Sequence, residues 1–432
     1  MGANEMKRFI PSLFVFVFIL VTNRYFSVQK DQAFITATAG DVFSYQAITD
    51  AAPQLPSEAQ IYHHAQRFAL PFFVGVIGNG FGIPNEWVMR FVVCLMLLAG
   101  ILLTDGFATK LGYSPGARLA LVALIFLNPY VARISLAMPF MGNDLGFILG
   151  LILTFTGLFL QSPIRMVAGS LLAILCRQTA ILFAFPMTFY FVLATWYGLK
   201  SYRERMAAIA CSAIVVAGYF LTGFVASHFS GPSINLSTLT GLFDWWSNHF
   251  DLHLLLLEFV AKGIGTFLVS LTGFGLILFY LGKPHREIRD IRVTLGAVSF
   301  LLTSVLIAMQ PILGGPEFGN LPRLSVLGLW SLLFGMALLH RGETIPVQTP
   351  RIPPRVLITL LMVLALNSLH HLFSWPGHLI FQSEGQWFFL LQLILGGFLL
   401  FGILMAKFHR NGRFSKNDKT QISSKKPLTE AL

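Results

Sequence analysis

Charged residues are scarce in this chain. Only 11% of its 432 residues are Asp, Glu, Lys or Arg, whereas soluble globular domains have about 25%. Hydrophobic residues make up 55%, and the mean hydropathy is +0.71. So little polar surface cannot cover a water-soluble particle, which excludes a soluble globular protein.

Several motifs are also missing. The three cysteines, Cys94, Cys176 and Cys211, lie in or beside apolar runs, at spacings that predict neither a disulfide framework nor a metal site. No Walker-type or Rossmann glycine loop occurs, which argues against ATP-driven transport by this chain alone. The sequence shows neither an internal repeat nor a separate soluble domain.

Long apolar runs fill most of the chain instead. They are about 17–25 residues long, which is the length that spans a bilayer, whereas a β-barrel would alternate in shorter segments. The sequence therefore predicts an all-α polytopic membrane protein with about twelve transmembrane helices, in a range of roughly eleven to thirteen. The predicted spans are residues 9–23, 87–104, 118–131, 145–160, 166–177, 179–197, 206–227, 254–281, 293–309, 324–339, 356–373 and 387–406.

The basic residues orient these spans. Their excess gives a net charge of +11, and they collect in short loops and in the tail, as the positive-inside rule expects, so no nucleic-acid partner is predicted. Both termini are expected in the cytoplasm of a cell with the chain in its inner (plasma) membrane. A long first outer loop, 24–86, follows the first span, and its apolar stretch 69–83 is predicted to be an interfacial helix. The tail 407–432 is predicted to be disordered.

Two carboxylates, Asp41 and Asp144, are predicted at the outer face beside apolar sequence. Carboxylates near a bilayer are costly unless they are paired or solvated, so each is a candidate site residue. For Asn143 and Asp144 the alternative is helix capping at the start of the fourth span. For Asp41 the alternative is an ordinary Gly-Asp turn.

The first outer loop adds further candidates. Tyr45 follows Asp41 closely, and His64 and Arg67 stand at i and i+3, so they would share one face of a helix. The alternative for His63 and His64 is that they are solvated loop histidines. No metal-ligand spacing occurs in the loop, so no metal site is predicted there.

Two later arginines are predicted near the outer face. Arg323 lies in the segment GNLPRL, which begins at Gly319, and a guanidinium there would suit a phosphate because its planar fork donates two hydrogen bonds. Its alternative is an anchor to lipid headgroups. Arg177 either contributes similarly or pairs with an acidic residue of a neighbouring helix.

The order of these motifs resembles the GT-C superfamily of membrane glycosyltransferases. The resemblance covers about residues 1–330, which would form the catalytic module, whereas the helices of 331–406 vary in such enzymes. The residues that carry it are Gly40-Asp41 and Tyr45, QRFALP at Gln66–Pro71, Trp87–Arg90, Asn128-Pro129, Asp144, CRQTAIL at Cys176–Leu182, and GNLPRL at Gly319–Leu324.

The resemblance implies transfer of a sugar from a polyprenyl-phosphate donor to a glycan, lipid or protein acceptor on the extracytoplasmic face, with inversion. Asp41 would be the general base. Asp144 would orient the acceptor or, in metal-using members, help to hold Mg²⁺ or Mn²⁺. Arg323, with His64 or Arg67, would neutralise the leaving phosphate. Tyr45, Asn143, Arg177 and Asn320 complete the predicted substrate-binding set.

Other classes remain open at this point. A transporter or a flippase for lipid-linked sugars would favour charges at mid-span and two symmetric halves. An envelope polysaccharide polymerase would have a large later outer loop rich in Arg, whereas residues 228–253 contain none. A non-enzymatic scaffold is a further alternative. The enzyme hypothesis requires Asp41, Asp144 and Arg323 to converge on one outer cavity that is open sideways to lipid, with the two carboxylates less than about 15 Å apart.

Overall fold

The architecture comes from a computed structural model that describes residues 3–25, 32–199, 202–231, 265–281, 290–313, 321–341, 352–369, 393–405 and 407. Within these ranges the chain is built from helices, and the only pairing of extended backbone is an isolated parallel bridge between Gln60 and Ser230. The predicted all-α class is therefore confirmed. Residues 254–264, 370–373, 387–392, 406 and 408–432, which belong to predicted spans or to the tail, lie outside the described residues.

The described residues of the first half form nine α-helices. They are α1 (Ala3–Tyr25), α2 (Gln32–Ala51), α3 (Tyr62–Ala65), α4 (Ala69–Phe81), α5 (Asn85–Lys110), α6 (Pro115–Phe126), α7 (Arg133–Ala137), α8 (Asn143–Phe159) and α9 (Pro163–Cys176), with a 3₁₀ turn at Pro139–Gly142 before α8.

The described part of the second half continues in the same manner. Its helices are α10 (Ala184–Trp196), α11 (Tyr202–Ala226), α12 (Gly265–Leu281), α13 (Ile291–Leu313), α14 (Leu321–Ser325), α15 (Leu329–Arg341), α16 (Pro354–Leu369) and α17 (Leu393–Met405), with 3₁₀ turns at Gln178–Phe183 and Val326–Gly328.

Among the described residues, six helical segments are long and apolar enough to cross a membrane, and seven shorter apolar helices accompany them. Each of the twelve predicted spans overlaps one of these thirteen segments. The remaining one, Ala69–Phe81, falls where the interfacial helix was predicted. The chain is thus a helical protein with the composition of a membrane protein, whereas the number of helices that cross the bilayer stays a prediction. The six long segments are Asn85–Lys110, Pro139–Phe159, Gln178–Trp196, Tyr202–Ala226, Ile291–Gln310 and Arg323–His340.

Helix α8 lies at the centre of the bundle. Almost all of its residues are buried, and it packs on α5, α9 and α15. Its closest neighbour is α9, where glycine lets the backbones approach: a Cβ at Gly150 would lie 2.6 Å from the backbone nitrogen of Ala173. Because α8 and α9 form an antiparallel hairpin, the start of α8 and the end of α9 meet at one end of the bundle.

Two helices are broken at that same end. After α9 ends at Cys176, Arg177 is extended, with φ −150° and ψ 132°, and a 3₁₀ turn leads into α10. The short α14 likewise passes through a 3₁₀ turn into α15. A break of this kind changes the direction of the side chains beside it, so that they can point into the bundle. The polar site lies at these two breaks.

The region between residues 24 and 70, predicted as a loop, is more regular than expected. Residues 32–51 form α2, and residues 62–65 form α3. The sequence did not predict α2, because a segment without a long apolar run does not reveal a helix whose stability comes from packing. In this case α2 packs on α4 and on the turn before α8. As a result, Asp41 and Tyr45 lie one helical turn apart on a single face.

Candidate functional site

The site is centred on Arg323, which lies in the short helix α14 just before α15. Its Nε donates to Oδ2 of Asp144 at 2.6 Å, and its two terminal nitrogens each lie 3.2 Å from Oδ2 of Asp41. One guanidinium therefore joins residues that are 282 and 179 positions away in the sequence. Asp41, Asp144 and Arg323 therefore converge within the described residues, whereas an outer cavity around them and its lateral opening to lipid stay predictions.

Asp144 has an arginine on each carboxylate oxygen. Arg177, held in its extended backbone at the end of α9, donates to Oδ1, while Arg323 occupies Oδ2. All three side chains are at most 7% exposed. The capping alternative for Asn143 and Asp144 is not observed, because Gly142 is the N-cap of α8 and no side chain caps it. The pairing predicted as the alternative for Arg177 is observed.

Asp41 is the accessible member of the group. Its side chain is 20% exposed, against 7% or less for Asp144, Arg177 and Arg323. Its Oδ1 contacts Nε2 of His64, and the other ring nitrogen of His64 lies 3.2 Å from the Ser44 hydroxyl. The alternative of a solvated loop histidine is wrong for His64, which is only 3% exposed.

Arg67 adds a third buried guanidinium. Its Nε donates to Oε1 of Gln178 at 2.7 Å, and its NH1 donates to the Tyr45 hydroxyl at 3.1 Å. The Asn143 amide donates to the backbone carbonyl of Arg67 at 3.4 Å. Four segments therefore meet around Arg67: α2, α3 with the turn that follows it, the start of α8, and the break after α9. We call the set Asp41, His64, Arg67, Asp144, Arg177 and Arg323 the Arg323 cluster.

The Arg323 cluster carries more positive than negative charge. Three guanidinium groups face two carboxylates, which leaves one positive charge in excess before His64 is counted. Burying an uncompensated charge costs several kcal/mol. The composition of the cluster therefore favours one further anion.

Two polar atoms of the site have no hydrogen-bond partner among the residues that the structure describes. They are Nε of Arg177 and Oδ1 of Asn143, both buried. In folded proteins the great majority of such atoms are paired, and an unmade hydrogen bond costs about 1–3 kcal/mol. The site thus offers one unused donor and one unused acceptor beside its excess positive charge.

The electrostatics of the cluster keep Asp41 ionised. Burial by itself would raise the pKa of the Asp41 carboxyl, but the hydrogen bond from His64 and the charge of Arg323 together hold that pKa well below its usual range. Burial lowers the pKa of His63 to about 3, and the neighbouring His64 and Arg67 act in the same direction. At neutral pH the site therefore presents a carboxylate and a neutral His63.

A metal ion is a weaker fit. Asp41, His63 and His64 bring their ligand atoms within 4.8 Å of one another, a grouping that the sequence did not predict. However, both ring nitrogens of His64 already have partners, and the excess positive charge opposes a cation. Both oxygens of Asp144 accept from guanidinium groups, which disfavours the divalent-cation role that the resemblance implied.

Most predicted site residues thus come together. The Arg323 cluster includes the two carboxylates, His64 and the three arginines, with Tyr45 and Asn143 against Arg67. Asn320 lies outside the described residues. Arg323 is 5% exposed and doubly ion-paired, so the headgroup-anchor alternative is wrong. Sequence reasoning missed Ser44 and Gln178; the adjacency of Gln178 to Arg177 at a helix break was the available signal.

Comparison of the chain with protein-family models, with curated proteins and with solved structures finds no match in any of the three. The function therefore has to be argued from the Arg323 cluster.

Proposed function

We propose that the protein is a membrane glycosyltransferase that moves a sugar from a polyprenyl-phosphate donor to an envelope acceptor on the extracytoplasmic face. The observation that carries this proposal is the composition of the Arg323 cluster. A buried site with one excess positive charge and an unused guanidinium N–H favours a phosphate. An ionised, accessible carboxylate stands directly beside it, as general-base catalysis requires.

The reaction assigns each group a task. The acceptor hydroxyl oxygen attacks the sugar C1, and its proton passes to the Asp41 carboxylate. The bond between C1 and the phosphate oxygen breaks, and the polyprenyl phosphate leaves with the electron pair, so the configuration at C1 inverts. Arg177 and Arg323 neutralise the charge that develops on the departing phosphate.

The position of Asp144 gives it a different role from Asp41. Both carboxylates have partners on both oxygens, but the Asp144 side chain is only 7% exposed and pairs with two arginines, whereas Asp41 is 20% exposed. We therefore assign Asp144 to holding Arg177 and Arg323 in place, and Asp41 to meeting the acceptor. The hydrogen bond from Arg67 to the Tyr45 hydroxyl then fixes α2, which carries Asp41, to the turn after α3.

The direct experiment uses the full-length protein in proteoliposomes with a labelled polyprenyl-phosphate sugar and acceptor-bearing membranes. Asp41→Asn should lower the transfer rate by about 10²–10⁴-fold, the usual contribution of a general base. Asp50→Asn is the matched control, because Asp50 lies on the same helix but is exposed and accepts only from Asn85. Transfer at the wild-type rate by folded Asp41→Asn would contradict the proposal.

A transporter or flippase for lipid-linked sugar phosphates is the second candidate. The break at Arg177 favours it, because discontinuous helices that point polar groups at an anionic substrate are typical of transporters. The two candidates differ in their product. A flippase moves the intact donor between leaflets, whereas the enzyme releases free polyprenyl phosphate, which thin-layer chromatography of the lipid extract separates from the donor.

A further inference from the structure

A second buried arginine, Arg133 of α7, stands apart from the Arg323 cluster. It is 3% exposed, and its donors reach only neutral groups. Nε donates to the Ser368 hydroxyl at 2.7 Å, and NH1 donates to Oδ1 of Asn23 at 3.1 Å. The guanidinium carbon lies 5.9 Å from the centre of the Phe18 ring.

The remaining nitrogen of Arg133, NH2, has no hydrogen-bond partner although it is buried. No carboxylate within the described residues forms an ion pair with this arginine. Arg118, Arg177 and Arg323, by contrast, are equally buried and each pairs with at least one aspartate. Arg133 is therefore a desolvated cation that lacks a counter-ion among the groups the structure describes.

The electrostatic surroundings agree with that description. Burial lowers the pKa of Arg133 to about 10, and no neighbouring charge offsets this effect. The side chain is still positively charged at neutral pH. An isolated buried charge costs several kcal/mol unless a counter-ion is bound.

The helices around Arg133 indicate what kind of anion would reach it. Asn23 lies near the end of α1, and Ser368 lies near the end of α16, and both helices pack on α6. One turn or less before these residues, each helix presents an exposed apolar side chain, Val21 on α1 at 47% and Leu366 on α16 at 57%. Exposed apolar side chains on the two helices whose polar groups contact a buried cation suit an amphiphile with an anionic head.

We propose that Arg133, with Asn23 and Ser368, binds the phosphate of a membrane phospholipid whose acyl chains lie along α1 and α16. A phosphodiester carries one negative charge, which balances the single guanidinium. Its oxygens would accept from NH2 of Arg133, while the Ser368 hydroxyl and the Asn23 amide oxygen hold the guanidinium in place. This site is independent of the proposed sugar transfer.

The test uses full-length protein in a zwitterionic detergent, titrated with phosphatidylglycerol and followed by native mass spectrometry. Wild-type protein should retain one phosphatidylglycerol, and Arg133→Gln should bind it about tenfold more weakly, since a charge-assisted hydrogen bond contributes about 1.5–3 kcal/mol. Arg133→Lys keeps the charge and should retain part of the affinity. Arg323→Gln is the matched control, because it disrupts the other anion site and should leave this lipid bound.

Several outcomes would overturn the proposal. Equal retention of phosphatidylglycerol by wild type and by folded Arg133→Gln would do so. So would binding of inorganic phosphate at Arg133 with no preference for the lipid. Asp31 and Glu384 are carboxylates outside the described residues. If Asp31→Asn or Glu384→Gln bound phosphatidylglycerol and the wild type did not, the counter-ion of Arg133 would be a carboxylate of the chain itself, and the proposal would be wrong. Should Arg133→Gln not fold, failure of the wild type to retain any phosphatidylglycerol would be sufficient.

Discussion

Two ion-pair clusters in this molecule differ in the balance of their charges. We propose that one of them binds a ligand and that the other only stabilises the fold. The Arg323 cluster has an excess positive charge and unused polar atoms. The second cluster consists of Glu204, Arg292, Tyr190 and Gln161, and we call it the Glu204 cluster. There, one carboxylate faces one guanidinium, so the charges cancel.

Both carboxylate oxygens of Glu204 also have hydrogen-bond partners. Oε1 of Glu204 accepts from the Tyr190 hydroxyl and from Nε of Arg292 at 3.3 Å, and Oε2 accepts from Gln161 at 3.1 Å. Arg292 further donates to the carbonyl of Phe159 at 3.0 Å. A balanced and fully bonded cluster has nothing left to offer a ligand, so we assign it to holding α8, α10, α11 and α13 together. The two clusters differ in charge balance and in unused polar atoms, and our proposal of a ligand site rests on that difference rather than on buried charge alone.

The largest expected effect separates the two clusters by activity. Arg323→Gln removes the cation that we propose faces the leaving phosphate, and it should lower kcat/KM for sugar transfer by about a thousandfold. Arg292→Gln removes the corresponding arginine of the Glu204 cluster and should change kcat/KM by less than about twofold per folded molecule. Steady-state transfer assays on equal amounts of monodisperse protein measure both. Similar losses in the two variants would remove the distinction.

The next largest effect distinguishes the two clusters by their contribution to the free energy of unfolding. Glu204→Gln leaves Arg292 without its counter-ion and should lower the free energy of unfolding by about 2 kcal/mol, less than for a fully buried pair because Arg292 is a quarter exposed. The double variant Glu204→Gln/Arg292→Met should recover part of that loss. Denaturant unfolding in detergent measures the change. Affinity for polyprenyl phosphate should be unaffected, and a parallel loss of affinity would connect this cluster to the ligand.

A smaller effect concerns pH. Because the folded-state pKa of Asp41 is lowered below its usual 3.8, the stability from its pairs is fully present above that value and is lost as pH falls through the folded-state pKa. In a His64→Gln background, which removes the imidazole in contact with Asp41, the stability difference made by Asp41→Asn should therefore be constant from about pH 5 to about pH 8 and shrink only in stronger acid. Thermal unfolding midpoints against pH test this. A change in the difference between pH 5 and pH 7 would show that Asp41 is not held ionised.

The smallest effect concerns metal ions. Because His64 already uses both ring nitrogens and the cluster is positively charged, removing divalent cations with a chelator should change the transfer rate by less than about twofold. His63→Gln should behave in the same way. Loss of transfer on chelation, with recovery on adding Mn²⁺ or Zn²⁺, would instead assign the group Asp41, His63 and His64 to a metal.

Much of the fold could be predicted from the sequence. Apolar runs of membrane-spanning length located the helices, and the basic loops predicted one side for Asp41, Asp144 and Arg323, which the structure then places in contact. The helix α2 could not be predicted, because its stability comes from α4 and from the turn before α8 rather than from its own composition.

The partner of each charged residue was harder to predict than its position. Arg177 and Asp144 meet because the close packing of α8 and α9 brings the end of one helix to the start of the other. The Glu204 cluster was missed altogether, because Glu204 lies in the basic segment KSYRER, which resembles an ordinary cytoplasmic loop. Pairing depends on interhelical geometry, and a single sequence does not specify that geometry.

The most direct test of the central claim is equilibrium binding of a sugar-free, short-chain polyprenyl phosphate to Asp41→Asn protein. Removing this carboxylate raises the excess positive charge of the Arg323 cluster while it removes the proposed base. We predict that Asp41→Asn binds the phosphate at least as tightly as the wild type and yet transfers sugar about 10²–10⁴-fold more slowly. If folded Asp41→Asn lost its phosphate affinity, or if it transferred sugar at the wild-type rate, the assignment of the cluster as a phosphate site with Asp41 as base would be contradicted.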